Sequence, residues 1–387
     1  MISKTKKKIF FLSGKRGGFD AMLPLSNLLL KNSNIKYKII LTDQHLQSKF
    51  GSTHLFYEKT INKNNLYKIN TRQLNSSAKE RLFSFSRLLN KLTKILEKDR
   101  PDLMLLYGDR CESLITGVAC LNLNIPICHF QGGDLTGNID EKIRHSITKL
   151  SDIHFCSNAQ SKKRLHQLGE SKKIVFNIGD SHIDALKKIK ISRKILTTEF
   201  NIRHKEEYCV LLFHPEGTSF LRNKQYINTI LEVLKNLKIR VFCVYPCTDI
   251  GYEVIIKSFN YIEKKNKFFK VFKNINHKNF INLLKFSRFL IGNSSSGIIE
   301  TPYLKVPTIN LGTRQLNRLT TVNILKSKIN KLDILKKIKI INSKQFKKNM
   351  INVKLHYGNG RSYLKAYKII IKKIDKINTS KNFNDKK

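Results

Sequence analysis

No stretch of this 387-residue chain approaches the roughly 18–20 consecutive apolar residues that a membrane-spanning helix needs, so no membrane span is expected. None of the seven cysteines, at 111, 120, 128, 156, 209, 243 and 247, forms a CxxC pair. An odd, scattered set lying mostly inside apolar runs points to reduced, buried thiols rather than a disulfide framework. Cys243 and Cys247 flank VYP without a matching second pair, and no metal site is expected from them. The basic start KTKKKIFFLSGKRGG reaches Gly14 too soon for the apolar core of about 7–15 residues that a signal peptide carries. It reads as a first buried strand, and a cytoplasmic protein is expected.

Acids are scarce as well: 28 Asp and Glu stand against 73 Lys and Arg, a formal net charge of +45. A basic surface can mark phosphate binding, but here the lysines are spread along the whole chain. Zinc-finger spacing, an RNP-like aromatic motif and an arginine-rich arm are all missing, so no specific nucleic-acid partner is expected. The charge suits anionic substrates and nonspecific binding of polyanions at low salt. The phosphate loop GxxxxGK[ST] is absent, and no repeat of 20–50 residues is visible.

What is present is alternation. Apolar strand-like runs occur at 9–13, 37–42, 102–107, 126–130, 152–156 and 173–178, then at 208–213, 240–245, 268–272, 288–292 and 306–311. Helical spacing lies between them, as in Leu82, Phe85, Leu88, Leu89, Leu92 and Ile95, or Ile143, Ile147 and Leu150. This order predicts an α/β fold of parallel sheets with right-handed crossovers. Its length predicts two Rossmann-like domains facing a cleft, over residues 1–183 and 184–361. The amphipathic helix 362–377 is expected to cross back onto the first domain, leaving 378–387 as a polar, frayed tail.

Five segments carry candidate chemistry, each just past a strand or at a helix start, where an α/β sheet places its ligands. SGKRGG (13–18) offers glycines for close anion approach and Arg16 as a fixed cation, or a plain tight turn with a surface arginine. GDR (108–110) supplies Asp109, and QGGDLTGNIDEKIRHS (131–146) supplies Gln131, Asp134, Asp140, Glu141 and Arg144. Asp109 and Asp140 can divide general acid and base duty if their surroundings separate their pKa values, although each alone also fits a turn former or a helix-start acid. FHPEGTS (213–219) supplies His214 as a phosphate donor or a structural histidine. GNSSSGIIETP (292–302) offers Ser294, Ser295, Ser296 and Gly297 as a diphosphate cradle at a helix start, with Glu300 placed to take two ribose hydroxyls.

In this combination the chain resembles the UDP-N-acetylglucosamine 2-epimerase family, and most of all its hydrolysing branch, which feeds sialic-acid-type sugar synthesis. The resemblance runs from about Ile9 to Ser362 and rests on GDR, GGDLTGNIDEKIRHSITKLSDIHF (132–155), FHPEGT, IGNSSSGIIETPYLKVPTINLGTRQ (291–315) and YGNG (357–360). It implies the glycosyltransferase-B fold, with a UDP-sugar in the cleft and no cofactor or metal. The implied reaction is anti elimination of UDP to a 2-acetamidoglycal, followed by hydration to free N-acetylmannosamine.

The resemblance also implies roles. Asp109, Gln131, Asp140 and His214 are catalytic. Arg16, His214 and Ser294 to Ser296 with Gly297 hold the diphosphate, Glu300 binds the ribose, and Asp134, Glu141, Arg144 and Arg314 line the substrate cleft. The same chemistry on UDP-2,4-diacetamido-2,4,6-trideoxyhexose, a non-hydrolysing epimerase, and a nucleotide-sugar-binding or glycosyltransferase protein are the alternative readings. A homo-oligomer is implied. Two positions depart from the family pattern. Gln131 stands where a glutamate is common and cannot transfer a proton as a carboxylate does, leaving Asp134 or Glu141 to compensate. Ala21 stands where a lysine is common, with Lys15 as a replacement charge.

Overall fold

In the computed structural model, which describes residues 6–384, strand β1 (Lys7–Ser13) is buried on both faces. Successive side chains of a strand point to opposite faces. Ile9 and Phe11 therefore pack against Phe19, Met22, Leu25 and Leu29 of the helix Arg16–Lys31. Phe10 and Leu12 pack against Leu88, Leu92 and Leu96 of the helix Ala78–Lys98. Four consecutive apolar residues, Ile9 to Leu12, with helices on both sides, are the pattern of a doubly covered parallel sheet.

The first sheet holds β1, β2 (Ile35–Thr42), β3 (Leu66–Ile69), β4 (Leu103–Tyr107), β5 (Ile127–Phe130), β6 (Ile153–Cys156) and β7 (Val175–Asn177), in the order β3-β2-β1-β4-β5-β6-β7. The second holds β8 (Tyr208–Leu212), β9 (Arg240–Val244), β10 (Phe269–Phe272), β11 (Phe289–Gly292), β12 (Thr308–Leu311) and β13 (Ile324–Ser327), in the order β10-β9-β8-β11-β12-β13. Every recorded pairing is parallel. Eleven of these strands coincide with the apolar runs of the sequence. The other two, β3 and β13, are four residues each (LYKI and ILKS), sit at sheet edges and are only partly buried. A lysine inside each of these four-residue segments breaks the apolar run, which hides them from a hydropathy reading.

The helix Ser362–Lys373 buries Ala366 and Ile370 in the core beneath the first sheet, and Asp184 accepts the backbone N–H groups of Ser362 and Tyr363 at its start. The tail beyond it is not frayed as far as residue 384. Lys381 Nζ donates to the Thr148 and Ser151 carbonyls at 2.9 Å and pairs with Glu170 at 2.7 Å, and Asn384 N–H donates to Gly169 O. These contacts tie the polar tail to the first half. The first five residues of the basic start and the last three of the tail lie outside the described residues. Of the free cysteines, 120, 128, 156, 209 and 243 are buried, and 111 and 247 are partly so. Among the described residues no helix is long and apolar enough to cross a membrane.

Candidate active site

In an open parallel sheet, ligands settle where the strand order reverses direction, past the carboxyl ends of the two strands that flank the switch. In the first sheet those strands are β1 and β4, followed by SGKRGG and GDR. In the second they are β8 and β11, followed by FHPEGT and GNSSSG. Both switch points therefore carry motifs singled out in the sequence. The two halves are joined across them: Arg16 Nη1 donates to Lys273 O and Asn274 Oδ1 at 2.8 Å, and Asn317 N–H donates to Thr136 O at 2.9 Å. Gly137 permits the closest approach, since a Cβ there would stand 2.1 Å from the Thr313 carbonyl oxygen.

Between the halves lies a cavity of ≈ 1200 Å³ bounded by Asp109, Arg110, Asp140, Glu216, Asp249 and Arg314, among others. Asp109 follows Gly108, whose φ of +78° turns the chain out of β4. Its carboxylate pairs with Arg144, which is wholly buried on the helix Ile139–Leu150, and stands 3.7 Å from Lys15 Nζ. Burial alone would raise the Asp109 pKa, but Arg144, Lys15, Arg318 and Arg314 outweigh it and hold the carboxyl well below its ordinary range. Asn138 caps the helix: its side-chain oxygen takes the Asp140 N–H at 3.1 Å and its amide donates to Asp140 Oδ2 at 3.0 Å. Asp140 is shifted the other way. Burial raises its pKa, with Asp109 and Asp249 adding to the rise, and Arg314 at 3.1 Å only partly offsets them. One carboxyl of the pair is held ionised while the other is made easier to protonate.

His214 receives the Cys247 backbone N–H at Nδ1, 3.1 Å away, which places the ring proton on Nε2. Burial lowers its pKa well below the ordinary value, and Arg314, Lys15 and Arg110 lower it further against Asp249, so the ring is a neutral donor. Its backbone N–H bonds to Asn293 Oδ1 at 2.7 Å, and Asn293 Nδ2 returns a bond to the His214 carbonyl, locking the FHPEGT loop to the serine loop. The serine loop opens no long helix. Ser296–Ile299 and Thr301–Leu304 are single turns separated at Glu300, with Pro302 at the start of the second. Ser294 Oγ takes the Ser296 N–H at 3.3 Å, and Ser295 and Ser296 remain partly exposed beside buried Gly297.

Glu300 pairs with His277 at 3.0 Å. Burial would raise the Glu300 pKa, but the His277 hydrogen bond and charge bring it below the ordinary value. Arg16 and Asp20 belong to the same neighbourhood, since both His277 and Arg16 act on the Asp20 carboxyl.

Three candidates are committed elsewhere. The Asp134 carboxylate takes Ser157 Oγ at 2.6 Å, Ser161 Oγ, Asn158 Nδ2 at 3.4 Å and Arg318 Nη1 at 2.9 Å, tying the GGD turn to the second half. Glu141 accepts the Thr136 N–H at 2.9 Å and closes its own loop. Gln131 does not bound the cavity, and its amide donates to Asp180 Oδ2 at 2.6 Å. Neither Asp134 nor Glu141 is therefore free to stand in for an acid at 131. Ala21 is buried in the core under the first sheet, where a lysine would be costly, and Lys15 beside Asp109 provides the nearby cation.

Several residues of this site escaped the sequence reading. Arg110 pairs with Asp249 and reaches Thr248 Oγ1 at 2.9 Å, while Arg81 pairs with Glu112 at 2.7 Å and Asp43 at 3.4 Å. Asp249 lies past the end of β9, the same signal that selected Asp109. Arg81 and His277 sit in ordinary helical patterns with no such signal.

A family model described as UDP-N-acetylglucosamine 2-epimerase matches residues 28–371. The GDP/UDP-N,N'-diacetylbacillosamine 2-epimerase (hydrolyzing) of Campylobacter jejuni is 34% identical over 349 residues, covering 89% of this chain and 90% of that protein. The UDP-N,N'-diacetylbacillosamine 2-epimerase (hydrolyzing) of Legionella pneumophila is 27% identical over 367 residues, covering 94% and 95%. The crystal structure of the UDP-GlcNAc 2-epimerase from Neisseria meningitidis bound to UDP-GlcNAc superposes with a TM-score of 0.79 at 20% identity, over 94% of this chain and 100% of that one. With its two parallel sheets in a glycosyltransferase-B-like arrangement, the chain belongs to the UDP-N-acetylglucosamine 2-epimerase family.

Proposed function

We propose that the protein is a hydrolysing 2-epimerase of a UDP-linked 2-acetamido sugar, with a 2,4-diacetamido-2,4,6-trideoxyhexose as the preferred sugar. The observation that carries the reaction is the Asp109–Asp140 pair, two carboxyls at one cavity whose pKa values are driven in opposite directions. Asp109, kept ionised, takes the proton at carbon 2. The bond from carbon 1 to the diphosphate oxygen breaks, its electron pair leaves with UDP, and a carbon 1–carbon 2 double bond forms. Water then adds its oxygen to carbon 1 and gives up a proton, while Asp140 delivers a proton to carbon 2 from the opposite face. Asp109 loses the proton it took and Asp140 regains one by exchange with solvent, and the remaining proton leaves with UDP or to water. The products are UDP and the free 2-epimeric sugar.

In this reading His214 Nε2–H, the serine loop at 294–297 and Arg16 hold the diphosphate and oppose the charge that develops on the leaving group. Glu300 and His277 take the ribose. The choice of sugar is supported by the two relatives named for diacetylbacillosamine. UDP-GlcNAc is the second reading, favoured by the solved neighbour that binds it. Incubation with each nucleotide sugar, followed by separation of free sugar, UDP and intact nucleotide sugar, decides the matter. The proposal expects free UDP and a free sugar, made faster from the diacetamido substrate. A product still attached to UDP would identify a non-hydrolysing enzyme, and no turnover of either substrate would contradict the reading.

A further inference from the structure

Gln131 adopts φ +63°, in the left-handed region that non-glycine residues rarely occupy, directly after β5. Its backbone N–H is fixed to Phe155 O at 2.8 Å, and its side chain spans to Asp180 at 2.6 Å. Strain of this kind persists where the surroundings over-determine a conformation. Here the side-chain oxygen is left toward the Gly108–Asp109 turn: Oε1 would stand 3.4 Å from a Cβ on Gly108.

Asp180 is a fully buried carboxylate with three further contacts. It accepts the His182 backbone N–H at 2.9 Å as the cap of the helix Ser181–Lys187, and His182 Nδ1 lies 2.9 Å from the same oxygen. The Tyr107 hydroxyl stands 3.5 Å from that oxygen and 2.9 Å from His182 Nδ1. A carboxylate only accepts hydrogen bonds, so His182 Nδ1 carries a proton directed at Asp180. Among the described residues no protein group hydrogen-bonds Nε2, which faces Gly17, next to Arg16. Burial would raise the Asp180 pKa, but the bonds from His182 and Gln131 bring it below the ordinary value and keep it ionised. The Asp180 N–H donates to the Tyr357 carbonyl at 2.8 Å, and Gly358 packs on Gly179, so the YGNG segment serves to fix this carboxylate in place.

We propose that Asp180 is a positioning residue of the epimerase site, whose single carboxylate both aims the Gln131 amide, with Oε1 toward the Asp109 turn, and sets His182 with Nε2 toward the Arg16–Gly17 loop. The inference rests on the 2-epimerase reading for its kinetic readout only. Behind the Asp109 turn the negative charge stands at 180, with an amide at 131 as its partner. A carboxylate at both positions would place two like charges 2.6 Å apart, so one of them would have to hold a proton.

The test uses the full chain and four proteins: wild type, Asp180→Asn, Gln131→Glu and the exchanged pair Gln131→Glu with Asp180→Asn. Circular dichroism first establishes that each is folded. With UDP-2,4-diacetamido-2,4,6-trideoxyhexose and UDP-GlcNAc as substrates, Asp180→Asn is expected to lower kcat by about a hundredfold with little change in KM. Gln131→Glu is expected to lower kcat similarly, and the exchanged pair to recover about tenfold or more over Gln131→Glu. Nitrogen-15 NMR of labelled histidine, with His182 assigned from a His182→Gln variant, is expected to report a proton on Nδ1 in the wild type and a mixture of tautomers in Asp180→Asn.

Wild-type kcat and an unchanged tautomer in Asp180→Asn would overturn the proposal. So would a Gln131→Glu protein as active as the wild type, or an exchanged pair no better than Gln131→Glu. If the wild type turns over neither nucleotide sugar, the functional reading fails while the histidine spectra still decide the role of Asp180.

Discussion

Arg314 Nη2, from the loop after β12, lies 3.1 Å from Asp140 Oδ2 and 3.2 Å from Asp249 Oδ2. One guanidinium thus holds a carboxyl of the first half against a carboxyl of the second. It is also the main counterweight to the burial that raises the Asp140 pKa. Removing it leaves Asp140 and Asp249 facing each other without the shared cation, so the Asp140 pKa rises further. In the proposed mechanism Asp140 donates when protonated, and activity is lost as pH rises through its pKa. Arg314→Met is expected to move that alkaline limb upward while lowering kcat by about tenfold or more, as read from pH–rate profiles.

His214 titrates far below neutrality because it is buried beside Arg314, Lys15 and Arg110. A neutral donor does not change charge across the working range. The wild type should therefore have no histidine limb from this group between about pH 5 and 8. His214→Ala, which removes one donor to the leaving diphosphate, is expected to cost about 10²–10³ in kcat with a smaller change in KM. Steady-state kinetics across pH checks both statements.

Gly137 sets how closely the two halves approach. A methyl at this position would stand 2.1 Å from the Thr313 carbonyl oxygen, a backbone atom that no rotamer change can move aside. Gly137→Ala is expected to hold the halves apart. Small-angle scattering should then give a larger radius of gyration, far-UV circular dichroism should be unchanged, and kcat/KM should fall by about tenfold or more.

Much of this arrangement was legible in the sequence, and the reasons it was not complete are physical. Strands buried on both faces, such as IFFLS and YCVLL, announce themselves as continuous apolar runs, whereas LYKI and ILKS at the sheet edges do not. Asp109 and His214 stand just past strand ends and Asp140 at a helix start, the places where an α/β sheet presents polar groups to a ligand, and this position is what marks them as candidates in the sequence. Pairs such as Arg110–Asp249 and Gln131–Asp180 are not legible in the sequence, because they join residues 139 and 49 positions apart and only the folded chain brings them together. Separations of 23, 27 and 184 positions likewise hide the commitment of Asp134 to Ser157, Ser161 and Arg318.

Glu112 illustrates how these hidden pairs act on stability. It takes Arg81 at 2.7 Å and Arg110 at 3.3 Å. Burial works to raise its pKa, but the two guanidiniums prevail and lower it from 4.5 to about 2. A folded-state pKa below the unfolded one means the ionised group contributes stability above pH 4.5, and that contribution is lost as pH falls through about 2. Glu112→Gln is expected to lower unfolding free energy at pH 7 by about 3 kcal/mol, because a buried arginine loses its counter-charge. It should also flatten the acid limb of the stability curve between pH 4.5 and about 2, as measured by urea unfolding across pH.

In the proposed reaction a proton leaves carbon 2 as UDP departs, and a different one then returns to its other face. Both events are read together by turnover of UDP-2,4-diacetamido-2,4,6-trideoxyhexose and of UDP-GlcNAc in deuterated water, with products followed by proton NMR. The expected product is free sugar of inverted configuration at carbon 2, carrying one solvent deuterium there, with UDP released in equal amount. Free sugar that keeps its carbon-2 proton, or UDP release without inversion, would contradict the proposed chemistry.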